Sequence, residues 1–373
     1  MESWWLDIPR ANIWIHRQAS PSIPINRTLT KAGKWQVFLN ISLGTLRRWN
    51  EIYRELLAEP SAVHLIVRAH QLPSWMLEPA ELVRALGNPK APGAIWQEPF
   101  DHDVGHYRRL CDPSVRPSNM DLISYVNDYE YMPNTQADLL RFLLPRLLKA
   151  WGEELLGRAS DYGGFAEHCL AAFAKKPLHP AFLGEREFRA TADYVGALIL
   201  ECMRQEKSLQ HRGMHASPYK WFYALGSYTV VFPYLRYLWE SWWQLEKQPD
   251  ALCAVQYLSC LLYDDDSNPV FAPWTRTEGG GPPCLWEVDG HIYEQSACPE
   301  NVEFLRSTLT TTYVREKLAQ ALDVVTQPEN RKVIERIVAD FQARLPLLQA
   351  KLAALPSALA QPRQNVLSWA DVL

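Results

Sequence analysis

The chain has 373 residues, a formal net charge of −4 and 21% charged residues. That balance is ordinary for a globular protein and lacks the basic excess of a chain built to bind nucleic acid. The length exceeds what one core usually supports, so two domains are expected. Fifteen Trp and 27 Pro stand out: so many indoles require a large aromatic core or aromatic surfaces for a partner, and the prolines favour short helices and bent connections.

The seven cysteines, Cys111, Cys169, Cys202, Cys253, Cys260, Cys284 and Cys298, are odd in number and form no CxxC pair, which predicts reduced thiols in a cytoplasm. The opening MESWWLDIPR has no apolar h-region, so no secretory signal is expected. Residues 221–239 are apolar enough to test as a membrane span, but Arg236, Pro233 and four tyrosines argue against one.

Residues 1–115 read as a small α/β module. Residues 12–16 and 35–41 are β-rich runs. Residues 46–58 place Leu46, Trp49, Tyr53, Leu56 and Leu57 on one side of a helix, and residues 63–68 form another apolar run. A short helix is predicted over 78–86, stopped by Gly87, Asn88 and Pro89, with a last strand at 95–97. This alternation predicts a mixed sheet with helices against it. Residues 98–120, rich in Pro, Asp and Arg, mark the expected domain boundary.

From residue 116 to 373 a large helical domain is expected. Its helices are predicted at 121–131, 135–156, 165–174, 185–209, 218–246, 251–263, 301–309 and 313–325, with a long last helix after Thr326. The clearest is 135–156, where Leu140, Leu144, Leu147, Trp151 and Leu155 recur every three or four positions. Leu139, Leu143 and Leu148 widen that stripe into a face that must be buried. Thr135 with Asp138, and Thr326 with Glu329, predict capping boxes, and Pro145 predicts a kink. The helical pattern is broken at 279–296, where a Gly-Pro loop precedes a β-hairpin signal, its Asp289-Gly290 pair suiting a type I′ turn. The fold class is therefore α+β, mostly α: a small α/β N-terminal module, then a helical domain with one β-hairpin.

Two segments carry family likenesses. Gly33-Lys34-Trp35, two apolar residues at Val37 and Phe38, and Trp49 with Ile52 resemble the opening of a bacterial phosphothreonine-lyase-like "GKW" domain over residues 32–52. Ala62-Val63-His64-Leu65 stands where that family has a Lys-Val-Ser-Thr run, so no catalytic residue is carried over. Residues 138–151, DLLRFLLPRLLKAW, resemble the DFRxFLPRLLEL signature of an uncharacterised bacterial helical family. That resemblance implies an all-helical fold and no known activity.

The sharpest chemical motif is Asp101-His102-Asp103-Val104-Gly105-His106. It is similar to the core of HD-type phosphohydrolases, in which a His and an adjacent Asp hold a metal that activates water. The resemblance implies a set of His70, His102, Asp103 and His106; a polar linker with turn-capping histidines is the plainer alternative. Asp264, Asp265 and Asp266, with Asn268, end a helix, and three adjacent carboxylates repel unless they face water, a divalent cation or a basic partner. Cys284, His291 and Cys298 supply three zinc-type ligands but no closed knuckle. His211 and His215, four apart, are separated by Gly213, which suggests a loop rather than a metal pair. No nucleophile elbow, phosphate loop, dinucleotide turn or HExxH helix occurs.

The aromatic run from Tyr219 to Trp243 cannot hide every ring on one helix face, so its helix is either surrounded or lines a groove. The groove form makes Trp239, Trp242 and Trp243 partner-binding residues beside Asp264, Asp265 and Asp266. These readings converge on a non-enzymatic protein-binding protein of an immunity type, or a defence-complex subunit, in the cytoplasm. No cofactor, metal or membrane span is expected, and nucleic acid enters only within a complex. The alternative is a metal-dependent, HD-like phosphohydrolase.

Overall fold

The structure is a computed structural model. It describes the backbone of residues 3–8, 11–16, 26–29 and 35–40, and residues 78–97, 104–131 apart from 113 and 116, 134–157, 165–176, 178, 182–209, 217–263, 267–271 and 297–360. It divides into two compact units, Met1–His70 and Gln71–Leu373.

In the first unit, β1 (Ser3–Ile8), β2 (Ala11–His16), β3 (Asn26–Leu29) and β4 (Trp35–Asn40) form one sheet in the order β1-β2-β4-β3. β1 and β2 pair antiparallel, from Ser3 opposite His16 to Ile8 opposite Ala11. β4 lies parallel to β2 and antiparallel to β3. The helix and apolar run expected at 46–58 and 63–68 lie outside the described residues.

The second unit is mostly α. Its described helices are α1 (Pro79–Ala85), α2 (Val104–Cys111), α3 (Asn119–Tyr131), α4 (Ala137–Leu155), α5 (Phe165–Lys175) and α6 (Glu185–Met203). They continue with α7 (Ser217–Val231), α8 (Leu235–Trp242), α9 (Gln248–Leu262), α10 (Pro299–Thr308), α11 (Thr311–Val324) and α12 (Pro328–Ala360). The 116 boundary moves: α1 packs on α4 and α6, and α2 on α4. Leu82, Leu86, Tyr107 and Leu110 enter the helical core because each needs a partner face that the short helices cannot supply alone. Nor does a strand form at 95–97. The 279–296 hairpin signal lies outside the described residues.

Two helices are wrapped on every side. Residues 191–200 of α6 are all buried, as are residues 251–262 of α9, a stretch without a charged side chain. A helix apolar all round must sit inside, and α9 lies against α6, α11 and α12. Two of its polar side chains donate inside the fold: Gln256 Nε2 to Glu206 Oε2 (2.5 Å) and Ser208 O (3.2 Å), and Ser259 Oγ to Gln256 O (2.7 Å).

The Leu stripe of α4 is buried as its spacing predicts, and Pro145 sits inside a helix that continues past it. The capping boxes fall elsewhere. Gln136 occupies the N-cap of α4, while the Thr135 hydroxyl accepts from Lys176 Nζ (2.8 Å). Thr326 is taken by Gln248 of α9. The reciprocal box forms at Ser118 and Asp121, where the Ser118 N–H donates to Asp121 Oδ2 (2.8 Å) and the Asp121 N–H to Ser118 Oγ (3.2 Å). Thr310 caps α11 through the Tyr313 N–H. α6 ends at Met203, short of 209, where the chain turns and Asn330 of α12 takes the Leu209 N–H (2.9 Å).

The run expected as one helix over 218–246 is two. Pro233 has no N–H to continue α7. Asn301 of α10 closes the break, donating from Nδ2 to Thr229 O (2.8 Å) and Phe232 O (2.7 Å) and accepting from the Leu235 N–H (3.0 Å). Among the described residues no helix is long and apolar enough to cross a membrane.

Candidate functional site

Trp239, Trp242 and Trp243 are core, not groove: they are 2%, 1% and 2% exposed. Trp239 stacks on Trp243 at 4.5 Å between centroids, meets Tyr257 edge-on at 5.2 Å, and gives its indole N–H to Tyr313 Oη (2.9 Å). α8 lies against α6 and α10. The rings that cannot share one face therefore fill the space between helices, and none of the three can meet a partner while the fold is intact.

His106 is buried in α2 and engages Asp121, its Nε2 lying 3.3 Å from Asp121 O and its Nδ1 3.8 Å from Oδ1. Burial pushes the Asp121 carboxyl up, but two hydrogen bonds from Ser118 and the charges of His106 and Arg109 outweigh it and hold the carboxyl below its ordinary range. His106 thus braces the start of α3. His70, His102, Asp103, Asp264, Asp265, Asp266, Cys284, His291, His211 and His215 lie outside the described residues. Cys298 is a free thiol whose Sγ approaches Val230 O at 3.1 Å; burial pushes its pKa up to about 12. Among the described residues no group of three or more His, Cys, Asp and Glu side chains is placed to share a metal.

A cavity of about 10 Å³ among Leu225, Thr229, Leu235, Trp239, Tyr257, Leu305 and Leu359 holds at most one water. A buried charge pair lies one turn apart within α6, where Arg189 Nε is 3.3 Å from Asp193 Oδ1. The guanidinium sits over the rings of Tyr234 (4.0 Å) and Tyr237 (4.6 Å). Both features belong to the interior.

The candidate site is on the surface, between α1 and α2. α1 stops where Gly87 and Asn88 take positive φ (+80° and +53°) and return their N–H groups to Arg84 O (3.0 Å) and Val83 O (2.9 Å). The chain then crosses the surface through Pro89, Lys90, Ala91, Pro92 and Gly93 to Trp96, which is 59% exposed. Immediately after, Gln97 is buried and locked to Gln136 by a reciprocal set of bonds. Gln136 Oε1 accepts from the N–H groups of Trp96 (2.9 Å) and Gln97 (3.3 Å), Gln97 Oε1 accepts from the Gln136 N–H (2.9 Å), and Gln136 Nε2 donates to Ala94 O (2.8 Å).

The lock continues inward: Gln97 Nε2 reaches Tyr107 Oη (3.4 Å), and Tyr107 donates to the buried carboxylate of Asp128 (2.5 Å). Burial first, and then the Asp128 hydrogen bond, raise the Tyr107 pKa far above the ordinary phenol value, so it remains a neutral donor. Trp96 therefore projects its indole into solvent from a backbone that is held in place. A second exposed ring, Tyr131 at 56%, closes α3 shortly before Gln136, with Lys175 Nζ 5.2 Å from its centroid and paired to Glu130.

No protein-family model matches the chain, and no curated protein or solved structure matches it either.

Trp96 is not singled out by periodicity, because what fixes it comes from Gln136, 40 residues away. The sequence signal that marks it is a tryptophan directly after a Pro- and Gly-bracketed polar stretch, where burial is hard to arrange.

One titratable group away from this site carries a pH effect. Burial, which outweighs Arg204 and Lys247, raises the Asp250 carboxyl to about 6 from an ordinary 3.8. Its folded pKa lies above its unfolded one, so its contribution favours the fold below pH ~4 and is lost as pH rises through ~6. Asp250→Asn is expected to raise the melting temperature at pH 7.5 relative to the parent, an advantage that vanishes below pH 4. Paired thermal melts at the two pH values measure it; an equal shift at both would refute the assignment.

Proposed function

We propose that the chain is a non-enzymatic protein-binding protein that uses Trp96 as an anchor. The observation that carries this reading is the contrast at one position: an indole 59% exposed on a backbone whose N–H is held by Gln136. Rigid aromatic side chains that fill a partner's pocket carry a large share of interface energy, because little freedom remains to be lost on binding. The reading includes an immunity-type or defence-complex role, supported by the two family likenesses at 32–52 and 138–151. It also includes a cytoplasmic setting, supported by the free thiols of the described cysteines, and a small α/β module at the start of the chain.

The test is purification of the tagged full chain from its host, identification of a stoichiometric partner by mass spectrometry, and reconstitution from purified components. Trp96→Ala is expected to weaken the reconstituted complex by about 2 kcal/mol, roughly thirtyfold in Kd, with an unchanged melting temperature. A monomer without partner would overturn the proposal, as would metal-dependent phosphoester turnover abolished by a chelator.

A further inference from the structure

Successive residues of a strand fall on opposite faces, so the register of the four-stranded sheet sorts its residues into two sets. One set is apolar. Leu6, Ile13 and Val37 stand opposite one another across β1, β2 and β4, and Trp4, Ile15 and Leu39 do so in the next row. The other set differs in kind. Trp5, Trp14 and Phe38 occupy one row across the same three strands, and Asn26 of β3 continues it. The row on one side of it is Asp7, Asn12, Gln36 and Thr28, and the row on the other is Ser3, His16 and Asn40. A sheet that packs one face against a core needs one apolar set, and this sheet has that set without the Trp5–Trp14–Phe38 row. Three aromatic residues in line, between rows of hydrogen-bonding residues, are the composition of a ligand site rather than of a core. The charges sort the same way. Arg27, the one Lys or Arg of the four strands, stands opposite Val37 and falls in the apolar set, whereas Asp7 falls in the aromatic one.

We propose that the Trp5–Trp14–Phe38 row, with its polar flanks, is a platform for a neutral oligosaccharide. A sugar ring offers a C–H face that lies against aromatic rings, and a rim of hydroxyls that both donate and accept. Asn, Gln, Ser and Thr do the same in return, so rows of them beside the aromatic line match that rim. Adjacent strands lie about 4.8 Å apart, so three positions in line span roughly 10 Å, the length of about two sugar units. Single-stranded nucleic acid also stacks on aromatic rows, but its phosphates call for cations beside them. The aromatic set holds no Lys or Arg and carries Asp7, which selects an uncharged ligand. This site lies within the first unit and stands apart from the protein-binding reading of Trp96.

The experiment titrates the full chain by calorimetry with cellohexaose, xylohexaose, mannohexaose, maltohexaose and chitohexaose, and with a single-stranded oligouridine as the competing class. At least one of the sugars is expected to bind, with the same Kd at low and high salt, because no counterion is displaced. Trp14→Ala is expected to weaken that binding about tenfold or more, and Trp14→Phe to keep most of it. Asn12→Ala with Gln36→Ala leaves the aromatic row in place and is expected to weaken it about tenfold, which keeps the test decisive if Trp14→Ala does not fold. Melting curves show which variants fold. If none of the five sugars binds, or if a folded variant of either kind binds as well as the parent, the inference is overturned. Oligouridine binding that falls with salt, without sugar binding, overturns it in favour of nucleic acid.

Discussion

Replacing Asn301 by leucine is expected to destabilise the helical unit by about 3 kcal/mol or more, because each buried backbone group left unpaired costs about 1–3 kcal/mol. Three such groups depend on this side chain: Thr229 O, Phe232 O and the Leu235 N–H. Thr229 O retains the Cys298 N–H (3.2 Å), which lowers its share. Asn301→Asp separates the contributions, since it keeps an acceptor for Leu235 but loses the amide donor and buries a charge. Urea unfolding followed by tryptophan fluorescence measures both variants. A shift of the leucine variant within about 0.5 kcal/mol of the parent, the range of an ordinary surface change, would show that the break at Pro233 does not need the staple.

The second large effect concerns the Arg189–Asp193 pair. Removing one partner of a buried ion pair costs about 3–5 kcal/mol, because the remaining charge stays in a medium that solvates it poorly. Arg189→Leu also empties the space over Tyr234 and Tyr237. The double change Arg189→Leu with Asp193→Leu is expected to recover much of that loss, since an apolar pair of similar volume avoids the desolvation of both charges. Equal destabilisation of the single and double variants would mean that packing on the tyrosine rings, not charge, sets the value. Guanidinium denaturation at fixed ionic strength distinguishes these outcomes.

The parts of the fold that were legible from sequence are those set by local repetition. The leucine stripe of α4 recurs within one helix, and all of it is buried. The charge-free stretch of α9 allows only an interior position. Caps were harder to read: Thr135, Thr326 and Ser118 all begin similar spacings, but Lys176 and Gln248 claim the first two hydroxyls from elsewhere in the chain. For the aromatic run the sequence leaves core and groove open, because composition does not reveal how many neighbours a helix will have; Trp239, Trp242 and Trp243 turn out buried, with α8 lying against α6 and α10. The candidate site was missed for a related reason. Residues 95–97 have the composition of a strand, and their role depends on a glutamine that a local window cannot see.

The staples at 301 and 330 also bear on the order in which the molecule can be completed. Asn301 closes a break 66 residues upstream of it, and Asn330 takes an N–H 121 residues upstream. At about 5–20 residues per second, a ribosome needs roughly 3–13 s to pass from the first break to its staple. During that interval α7 and α8 have emerged, but α10, which supplies the cap and part of the cover over Trp239, does not yet exist. The most aromatic part of the chain is therefore made early and sheltered late. The nascent protein must hold that surface against association until its last third arrives, so its greatest exposure to aggregation falls during synthesis rather than after it.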